Sequence, residues 1–283
     1  MIPARFDYHR PDSVAAAVGL LQQHGDEARV VAGGHSLIPM MKLRMAAPAH
    51  LVDLQGIAAL RGIEAGERIR IGAMVTQSEM IAHAGLAEAA PILAEAARQI
   101  ADPQVRNLGT VGGNVANGDP GNDLPALMLC LDATFTLEGP EGVREVAARG
   151  FYEAPYVTAR EEEEILTAVG FDRPARGFAY EKQKRKIGDY ATAAAAVLIG
   201  AEGGRVVSAS VAMTNVADVP VFSAAAGEAL VSTDCAADAV AAAVAAMQGD
   251  IDPVEDNRGP VEFKRHVAGV ILTRAIARAW SRA

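Results

Sequence analysis

Cysteine is scarce in this chain, which has only Cys130 and Cys235 among 283 residues. Two thiols exclude a disulfide framework, and they also exclude an iron–sulfur cluster held by four cysteines of this chain. Cys130 lies in an apolar run of leucine and methionine, so we expect it to be a buried, structural thiol. Iron–sulfur chemistry would have to come from another chain.

Long apolar runs are also missing. The longest, residues 191–201, is far shorter than the roughly 20 residues that a membrane helix needs, and the N-terminus lacks a charged stretch followed by an apolar signal region. We expect a cytoplasmic protein without a membrane-spanning segment. Aromatic residues make up only 5% of the chain, which favours close backbone and cofactor contacts over a bulky aromatic core.

Acidic residues outnumber basic ones, which gives the chain a net charge of -9. An acidic surface repels phosphate backbones, so nucleic acid is not an expected partner. Phosphates on a ligand would have to be bound by backbone N–H groups and a few local cations. The short basic run at residues 182–186 is either a solvated face or a patch for docking or for cofactor charge.

The predicted elements follow no strict βαβ alternation, so the fold class is α+β. A helix is expected from Pro11 to Gly25, then a strand at 29–32, a strand at 51–54, short strands over 57–75 and a helix over 86–101. Asp123 is predicted to cap the helix that follows it. Strands fill 134–170, interrupted by the acidic residues 161–164, which are expected to form a solvated turn or a helix start.

The C-terminal part holds one ambiguous segment. Alanine content favours a helix over residues 191–200, whereas Gly203-Gly204 and the β-rich run 206–216 favour a pair of strands, which we adopt. Helices are expected at 235–247 and 262–281. The predicted buried stripe of the last helix consists of Phe263, Val267, Val270, Ile271 and Trp280.

Two glycine-rich segments stand out, residues 32–37 (A-G-G-H-S-L) and 109–114 (G-T-V-G-G-N). Glycine turns present consecutive N–H groups that bind anions, and two such loops suit the two phosphates of a dinucleotide. Side-chain hydrogen bonds could come from Ser36, Thr110 and Asn114. Taken alone, each loop is equally compatible with an ordinary turn. Neither matches the spacing of a P-loop or of a Rossmann fingerprint.

No catalytic constellation is found. The six histidines show no metal-ligand spacing such as H-E-x-x-H, and no Ser/His/Asp or Cys/His set can be inferred. If the protein carries out redox chemistry, a cofactor supplies it.

Three segments in order resemble one family. They are A-G-G-H-S-L-I-P-M-M-K-L-R (32–44), I-A-D-P-Q-V-R-N-L-G-T-V-G-G-N-V-A-N-G-D-P-G-N-D-L-P-A-L (100–127) and Y-E-K-Q-K-R-K-I-G-D-Y-A-T-A (180–193). The chain resembles, over its whole length, the FAD-binding medium subunits of molybdenum hydroxylases. Within that family the motifs are most similar to those of the aerobic carbon monoxide dehydrogenases.

The resemblance implies an FAD-binding fold of the PCMH type. Two N-terminal subdomains, at 1–56 and 57–173, would clamp FAD. A C-terminal domain at 174–283 would contain a three-stranded antiparallel sheet and helices.

The resemblance also assigns residues to the cofactor. The two glycine-rich loops would hold the FAD pyrophosphate, Asp123 would contact the adenosine side, Leu166 would lie near the adenine, Lys182 would approach the flavin ring, and Tyr190 would lie near the isoalloxazine unless it is a core residue. The full expected set is Ala32, Gly33, Gly34, His35, Ser36, Leu37, Thr110, Val111, Gly112, Gly113, Asn114, Asn117, Asp123, Leu166, Lys182 and Tyr190, with no metal ligand and no substrate-oxidising residue.

The implied function is electron transfer. In this family a large subunit with a molybdenum cofactor oxidises the substrate, a small subunit carries two [2Fe–2S] clusters, and electrons then reach FAD and leave to an acceptor such as a quinone. The family assembles as a dimer of heterotrimers, with a peripheral membrane contact where the acceptor is a quinone. Three alternatives stay open: an aldehyde or N-heterocycle substrate, a self-sufficient flavin oxidase, and a non-catalytic nucleotide-binding or assembly protein.

Overall fold

The first structural unit is a small parallel sheet covered by a helix. In this computed structural model, which describes residues 2–283, the strand order is β1-β3-β2 and both pairings are parallel. The elements are β1 (Asp7–His9), α1 (Val14–His24), β2 (Ala28–Val31), α2 (Leu37–Lys42) and β3 (His50–Asp53). The predicted helix is confirmed, but it begins after Ser13, whose hydroxyl accepts the N–H of Ala16, so the start expected at Pro11 was early.

The second unit is a five-stranded antiparallel sheet with six short helices. Its strand order is β4-β5-β10-β6-β7. The helices are α3 (Gln77–Ala82), α4 (Ala84–Ala89), α5 (Pro91–Ala97), α6 (Pro103–Arg106), α7 (Val111–Ala116) and α8 (Asp123–Cys130). The strands are β4 (Ile63–Ala65), β5 (Arg68–Gly72), β6 (Thr134–Gly139), β7 (Gly142–Ala147), β8 (Tyr152–Ala154), β9 (Val157–Thr158) and β10 (Ile165–Asp172), with β8 and β9 forming a separate hairpin.

The third unit is an antiparallel sheet packed against two long helices. It consists of β11 (Gly177–Gln183), β12 (Ala193–Glu202), β13 (Arg205–Thr214), β14 (Val221–Phe222), α9 (Ala224–Glu228), α10 (Ala237–Asp250) and α11 (Val261–Trp280). The three long strands are the expected antiparallel sheet, and the two-residue β14 extends it to four. The α+β class and the domain types implied by the resemblance are thus observed.

The alanine run after residue 191 is a strand, as the glycine pair predicted. Gly203 and Gly204 both have positive φ, at 56° and 75°, which suits the tight turn between β12 and β13. The strand is buried on both faces. Alternate residues such as Ala195 and Val197 pack towards α10 and α11, while Ala194 and Ala196 pack into the core of the second unit. Small side chains allow both layers to approach the strand closely, which explains alanine in a strand.

Two details of the predicted helices are wrong. The helical stretch over 86–101 is divided between α4 and α5, because Pro91 starts a new helix and cannot continue the previous one. In α11, Phe263 is 46% exposed, whereas Lys264 is buried and its Nζ lies 2.9 Å from an Asp256 carboxylate oxygen. The buried stripe therefore runs through Lys264, Val267, Ala268, Ile271, Leu272, Ala275, Ile276 and Ala279.

The acidic block is a turn, as expected, but it is not wholly solvated. Glu164 is buried, and both its carboxylate oxygens accept hydrogen bonds from Arg144, at 2.6 and 2.7 Å. The Arg144 guanidinium holds the pKa of Glu164 below its ordinary value. Cys130 is buried, as predicted, and burial raises its pKa to about 12. Across residues 2–283, no helix combines the length and the apolar character needed to cross a bilayer.

Candidate functional site

A single cavity of about 580 Å³ collects nearly all the predicted cofactor residues. Its size falls within the roughly 300–1,000 Å³ that is usual for ligand pockets. The first unit contributes residues 32–37, the second contributes the 109–117 segment and Leu166, and the third contributes Lys182 and Tyr190. Of the sixteen predicted residues only Val111, whose side chain is fully buried, does not line it.

The first glycine-rich loop presents free N–H groups. The backbone N–H groups of residues 33–37 donate to no acceptor within residues 2–283, and all five residues line the cavity. A consecutive row of unpaired donors at a cavity wall is suited to an anion such as a pyrophosphate. The expectation made for this loop thus has a structural basis.

Close packing explains Gly33, and backbone conformation explains Gly34. A Cβ atom on Gly33 would lie 2.3 Å from the carbonyl oxygen of Leu108 and 2.8 Å from the Cα of Gly109. Gly34 has φ of +75°, which side chains disfavour. The absence of a side chain at Gly33 therefore lets the two glycine-rich loops touch.

The second glycine-rich loop acts differently from the first. Most of its N–H groups are already used, since Val111 donates to the carbonyl of Val75, Gly112 to that of Ala73, and Gly113 to the Thr110 hydroxyl oxygen. A Cβ on Gly112 would lie 2.5 Å from the Cβ of Ala73. The loop is thus a scaffold, and the groups it can offer a ligand are side chains rather than a row of free N–H groups.

A buried ion pair forms part of the cavity wall. The Lys182 ammonium lies 2.8 Å from one carboxylate oxygen of Asp123, and the Tyr180 hydroxyl donates to the other at 2.6 Å. Both charged side chains are at most 5% exposed. Burial raises the pKa of the Asp123 carboxyl, and Lys182 and Tyr180 oppose that shift.

This ion pair corrects two sequence-based expectations. Asp123 is the first residue of α8 and does not cap it; Asn122 occupies the cap position without a side-chain bond. Asp123 and Lys182 were assigned to opposite ends of FAD, yet their charged atoms are in contact. Two groups in contact can reach only one region of a bound ligand, so they form one unit of the cavity wall in which Asp123 holds Lys182 in place.

Tyr190 lies at the edge of the cavity and is 44% exposed, so it is not a core residue. Its ring packs close to Gly121, where a Cβ would lie 2.9 Å from the tyrosine Cδ1. The Arg258 guanidinium lies 5.5 Å from the ring centroid on its face. Partial burial, together with the Asp119 carboxylate, raises the pKa of Tyr190 to about 12, so the hydroxyl is protonated at neutral pH.

Several cavity residues were missed by sequence reasoning. Arg160 lines the cavity beside Arg29, and its guanidinium donates to the carbonyls of residues 161, 162 and 164. Burial lowers the pKa of Arg160, and the nearby positive charge of Arg29 lowers it further. Gln77 is buried with its Oε1 unpaired within the described residues. A possible signal was the arginine directly before the acidic block.

These features fit an anionic dinucleotide such as FAD. The cavity offers free backbone donors, two arginines and one unpaired amide acceptor. Most of its carboxylates already have a cationic partner, because Asp123, Glu164 and Asp189 each lie in an ion pair. The cavity therefore supplies groups that can bind an anionic ligand.

Comparison with known proteins agrees with this geometry. Residues 4–173 match the model of the FAD binding domain in molybdopterin dehydrogenase, and residues 178–279 match that of the CO dehydrogenase flavoprotein C-terminal domain. The chain belongs to this family of flavoproteins. Its cofactor is FAD.

Individual members of the family are similar over the whole chain. The carbon monoxide dehydrogenase medium chain of Afipia carboxidovorans is 54% identical, covering 100% of this chain and 99% of that one. A chain of a crystal structure of Cu,Mo-CO dehydrogenase in a cyanide-inactivated form has a TM-score of 0.98 at 54% identity, with 100% of both chains covered. A chain of quinoline 2-oxidoreductase from Pseudomonas putida 86 has a TM-score of 0.95 at 32% identity, with 99% of both covered.

Proposed function

We propose that this chain is the FAD-carrying electron-transfer subunit of a molybdenum-iron-sulfur-flavin dehydrogenase that oxidises carbon monoxide to carbon dioxide. It would accept electrons from [2Fe–2S] clusters of a partner subunit and pass them to an external acceptor. The observation that carries the proposal is the row of free N–H groups at residues 33–37, in a cavity that also contains Lys182 and Tyr190.

The choice of substrate rests on relative similarity. The carbon monoxide dehydrogenase medium chain is 54% identical to this chain, whereas the quinoline 2-oxidoreductase chain is 32% identical at nearly the same coverage. Both folds are nearly superimposable on this one, so the fold does not discriminate between substrates. The alternative substrates are therefore an aldehyde or an N-heterocycle, oxidised on another chain.

Each cavity region has a proposed task. The N–H groups of 33–37 bind the pyrophosphate, and the 110–114 segment positions that loop, with Thr110, Asn114 and Asn117 adding side-chain contacts. Lys182 presents its ammonium to the cofactor from a position fixed by Asp123. Tyr190 covers the ring and limits access to it. Bound FAD supplies the electron-accepting chemistry.

The proposed partners follow from what the chain contains. Two cysteines leave the clusters to an iron–sulfur small subunit, and a large subunit carries the molybdenum cofactor. We propose a dimer of such heterotrimers in the cytoplasm, with a peripheral contact at the inner face of the membrane where a quinone is the acceptor. We propose subdomain boundaries that give residues 1–56, 57–173 and 174–283.

The basic run offers a docking surface for one of these partners. Lys182 is committed to Asp123, but Arg185 and Lys186 are exposed beside the strongly exposed Ile187, at 91%. The Arg185 guanidinium lies 3.0 Å from a carboxylate oxygen of Asp189, which lines the cavity beside Tyr190. This surface is where we expect the partner that delivers electrons.

The proposed function is tested by an absorption spectrum of the untagged complex from its native source, with co-purifying chains retained. We expect a flavin spectrum overlaid by iron–sulfur absorption, and bleaching of both when carbon monoxide is added without oxygen. Bleaching by an aldehyde or an N-heterocycle alone would keep the subunit type and reject carbon monoxide. A colourless chain without partners would favour the non-catalytic nucleotide-binding alternative.

Replacing Tyr190 with Ala should leave FAD bound and change the rate at which the reduced complex is reoxidised. The residue lies at the cavity edge and its hydroxyl pairs with Asp119 rather than with a glycine-rich loop, so its loss opens access without removing a phosphate contact. Stopped-flow absorbance at the flavin band measures the rate, and Tyr190→Phe is the matched control that retains the ring. Loss of FAD from Tyr190→Ala would show that the residue is structural instead.

A further inference from the structure

Three histidines of the first unit come together, and none of them lines the cofactor cavity. His9 Nε2 lies 3.1 Å from His50 Nδ1, and the ring of His24 is stacked on that of His50 with centroids 3.7 Å apart. One ring nitrogen from each histidine lies within 4.8 Å of the other two. All three side chains are half-buried, which leaves the cluster open to a small solute.

The strand register explains why these residues meet. In the parallel β1–β3 pair, Asp7 lies opposite His50 and His9 lies opposite Val52. Residues two apart share a face, so His9 and His50 are on one face of the sheet. That face is the one covered by α1, since Val52 packs with Val14, Ala17, Val18 and Leu21 of the helix. His24 is the last residue of α1 and reaches the same edge.

The spacing suits a tetrahedral metal ion. With Zn–N bonds of about 2.0–2.1 Å, ligand nitrogens lie about 3.3 Å apart. The His9–His50 separation is already close to this value. His24 needs to tilt its ring off His50 to point a nitrogen at the same centre. Asp7, paired with His50 in the register, places a carboxylate on the same face of this acidic chain.

We propose that His9, His24 and His50 form a binding site for a divalent transition-metal ion of the zinc class, with a water molecule as fourth ligand. Neutral imidazoles are preferred ligands of such ions, and a bound ion replaces the proton shared by His9 and His50. The ion ties the end of α1 to the first and third strands. Because Leu21, one turn before His24, lines the cofactor cavity, the ion also braces that wall.

The test is zinc binding by the untagged full chain, measured by isothermal titration calorimetry with zinc chloride. We expect one ion per chain and a rise of a few degrees in melting temperature. In His24→Gln the affinity should fall by more than the roughly 10–100-fold that loss of an outer-shell partner costs. His266→Ala, which removes an exposed histidine of α11, should bind zinc like the unaltered chain.

A spectroscopic measurement covers the case in which a histidine variant folds poorly. Cobalt(II) added to the unaltered chain should give the intense visible bands of a four-coordinate site, and zinc should abolish them. Equal zinc affinity in the unaltered chain and in folded His24→Gln, or cobalt bands of an octahedral aquo ion only, would overturn the proposal. The histidines would then be a stacked, hydrogen-bonded cluster. Neither readout depends on flavin or on carbon monoxide oxidation.

Discussion

A Gly33→Ala variant of this chain is expected to lose most of its FAD. The new Cβ would lie 2.3 Å from the Leu108 carbonyl oxygen and 2.8 Å from the Gly109 Cα, both of which are backbone atoms that cannot rotate away. The loop must therefore move as a whole, and the free N–H groups of 33–37 move with it. Forcing a methyl group into a packed site costs about 1–3 kcal/mol, a roughly 5- to 150-fold loss of affinity if the loops part to relieve it.

Flavin content per chain, measured by absorbance after gel filtration, checks this result. Gly150→Ala is a matched control, because a Cβ there meets nothing within 4 Å and Gly150 does not line the cavity. A β-branched residue at Gly33 or Gly112 should have a larger effect. From the sequence, a side chain at either position is expected to cause FAD loss by obstructing the phosphate site. In the structure the new side chain would instead collide with Leu108 at Gly33 and with Ala73 at Gly112. Full flavin content in Gly33→Ala would contradict the two-loop arrangement.

A Lys182→Met variant should be strongly destabilised and should fail to retain FAD. The substitution leaves the Asp123 carboxylate buried with only the Tyr180 hydroxyl as a partner. Removing one member of a buried ion pair costs about 3–5 kcal/mol. Urea unfolding followed by circular dichroism measures the loss, and Lys186→Met, at an exposed position of the same run, should change the free energy of unfolding by under about 0.5 kcal/mol.

The pH dependence of the free energy of unfolding should identify the buried Asp123 carboxylate as the cause of this destabilisation. Burial raises the pKa of Asp123 above its ordinary value of 3.8, and loss of Lys182 removes a group that opposes this shift. A folded-state pKa above the unfolded one costs stability as pH rises between those two values. The difference in free energy of unfolding between Lys182→Met and the unaltered chain should therefore become smaller as pH falls towards 3.8. The double variant Lys182→Met/Asp123→Asn should recover part of the stability at neutral pH; no recovery would assign the deficit to lost packing of the lysine stem.

Local sequence signals predicted most of the fold. The Gly203-Gly204 pair predicted a hairpin against the helix propensity of the alanines before it, and the strand is confirmed because both its faces are buried. The Phe263 error has a similar origin. Hydrophobic periodicity alone favoured Phe263, but α11 buries Lys264 through an ion pair with Asp256, which periodicity does not reveal.

The candidate site was predictable where it depends on backbone geometry. Consecutive glycines at 33–34 mark free N–H groups and close approach, and both are observed. Long-range partners were not predictable. Asp123 was expected to cap its helix because capping is local, whereas its carboxylate is used by Lys182, 59 positions away. Gln77 carries no motif, Arg160 is marked only by its position before the acidic block, and the fold alone brings both to the cavity.

The division of labour between chains is the central claim, and the distribution of cofactors among separated subunits tests it most directly. The native complex is dissociated, its chains are separated, and FAD, iron and molybdenum are measured in each fraction. We predict about one FAD for each copy of this chain, with iron and molybdenum confined to the other chains. FAD in a fraction that lacks this chain, or iron that remains with it, would contradict the account.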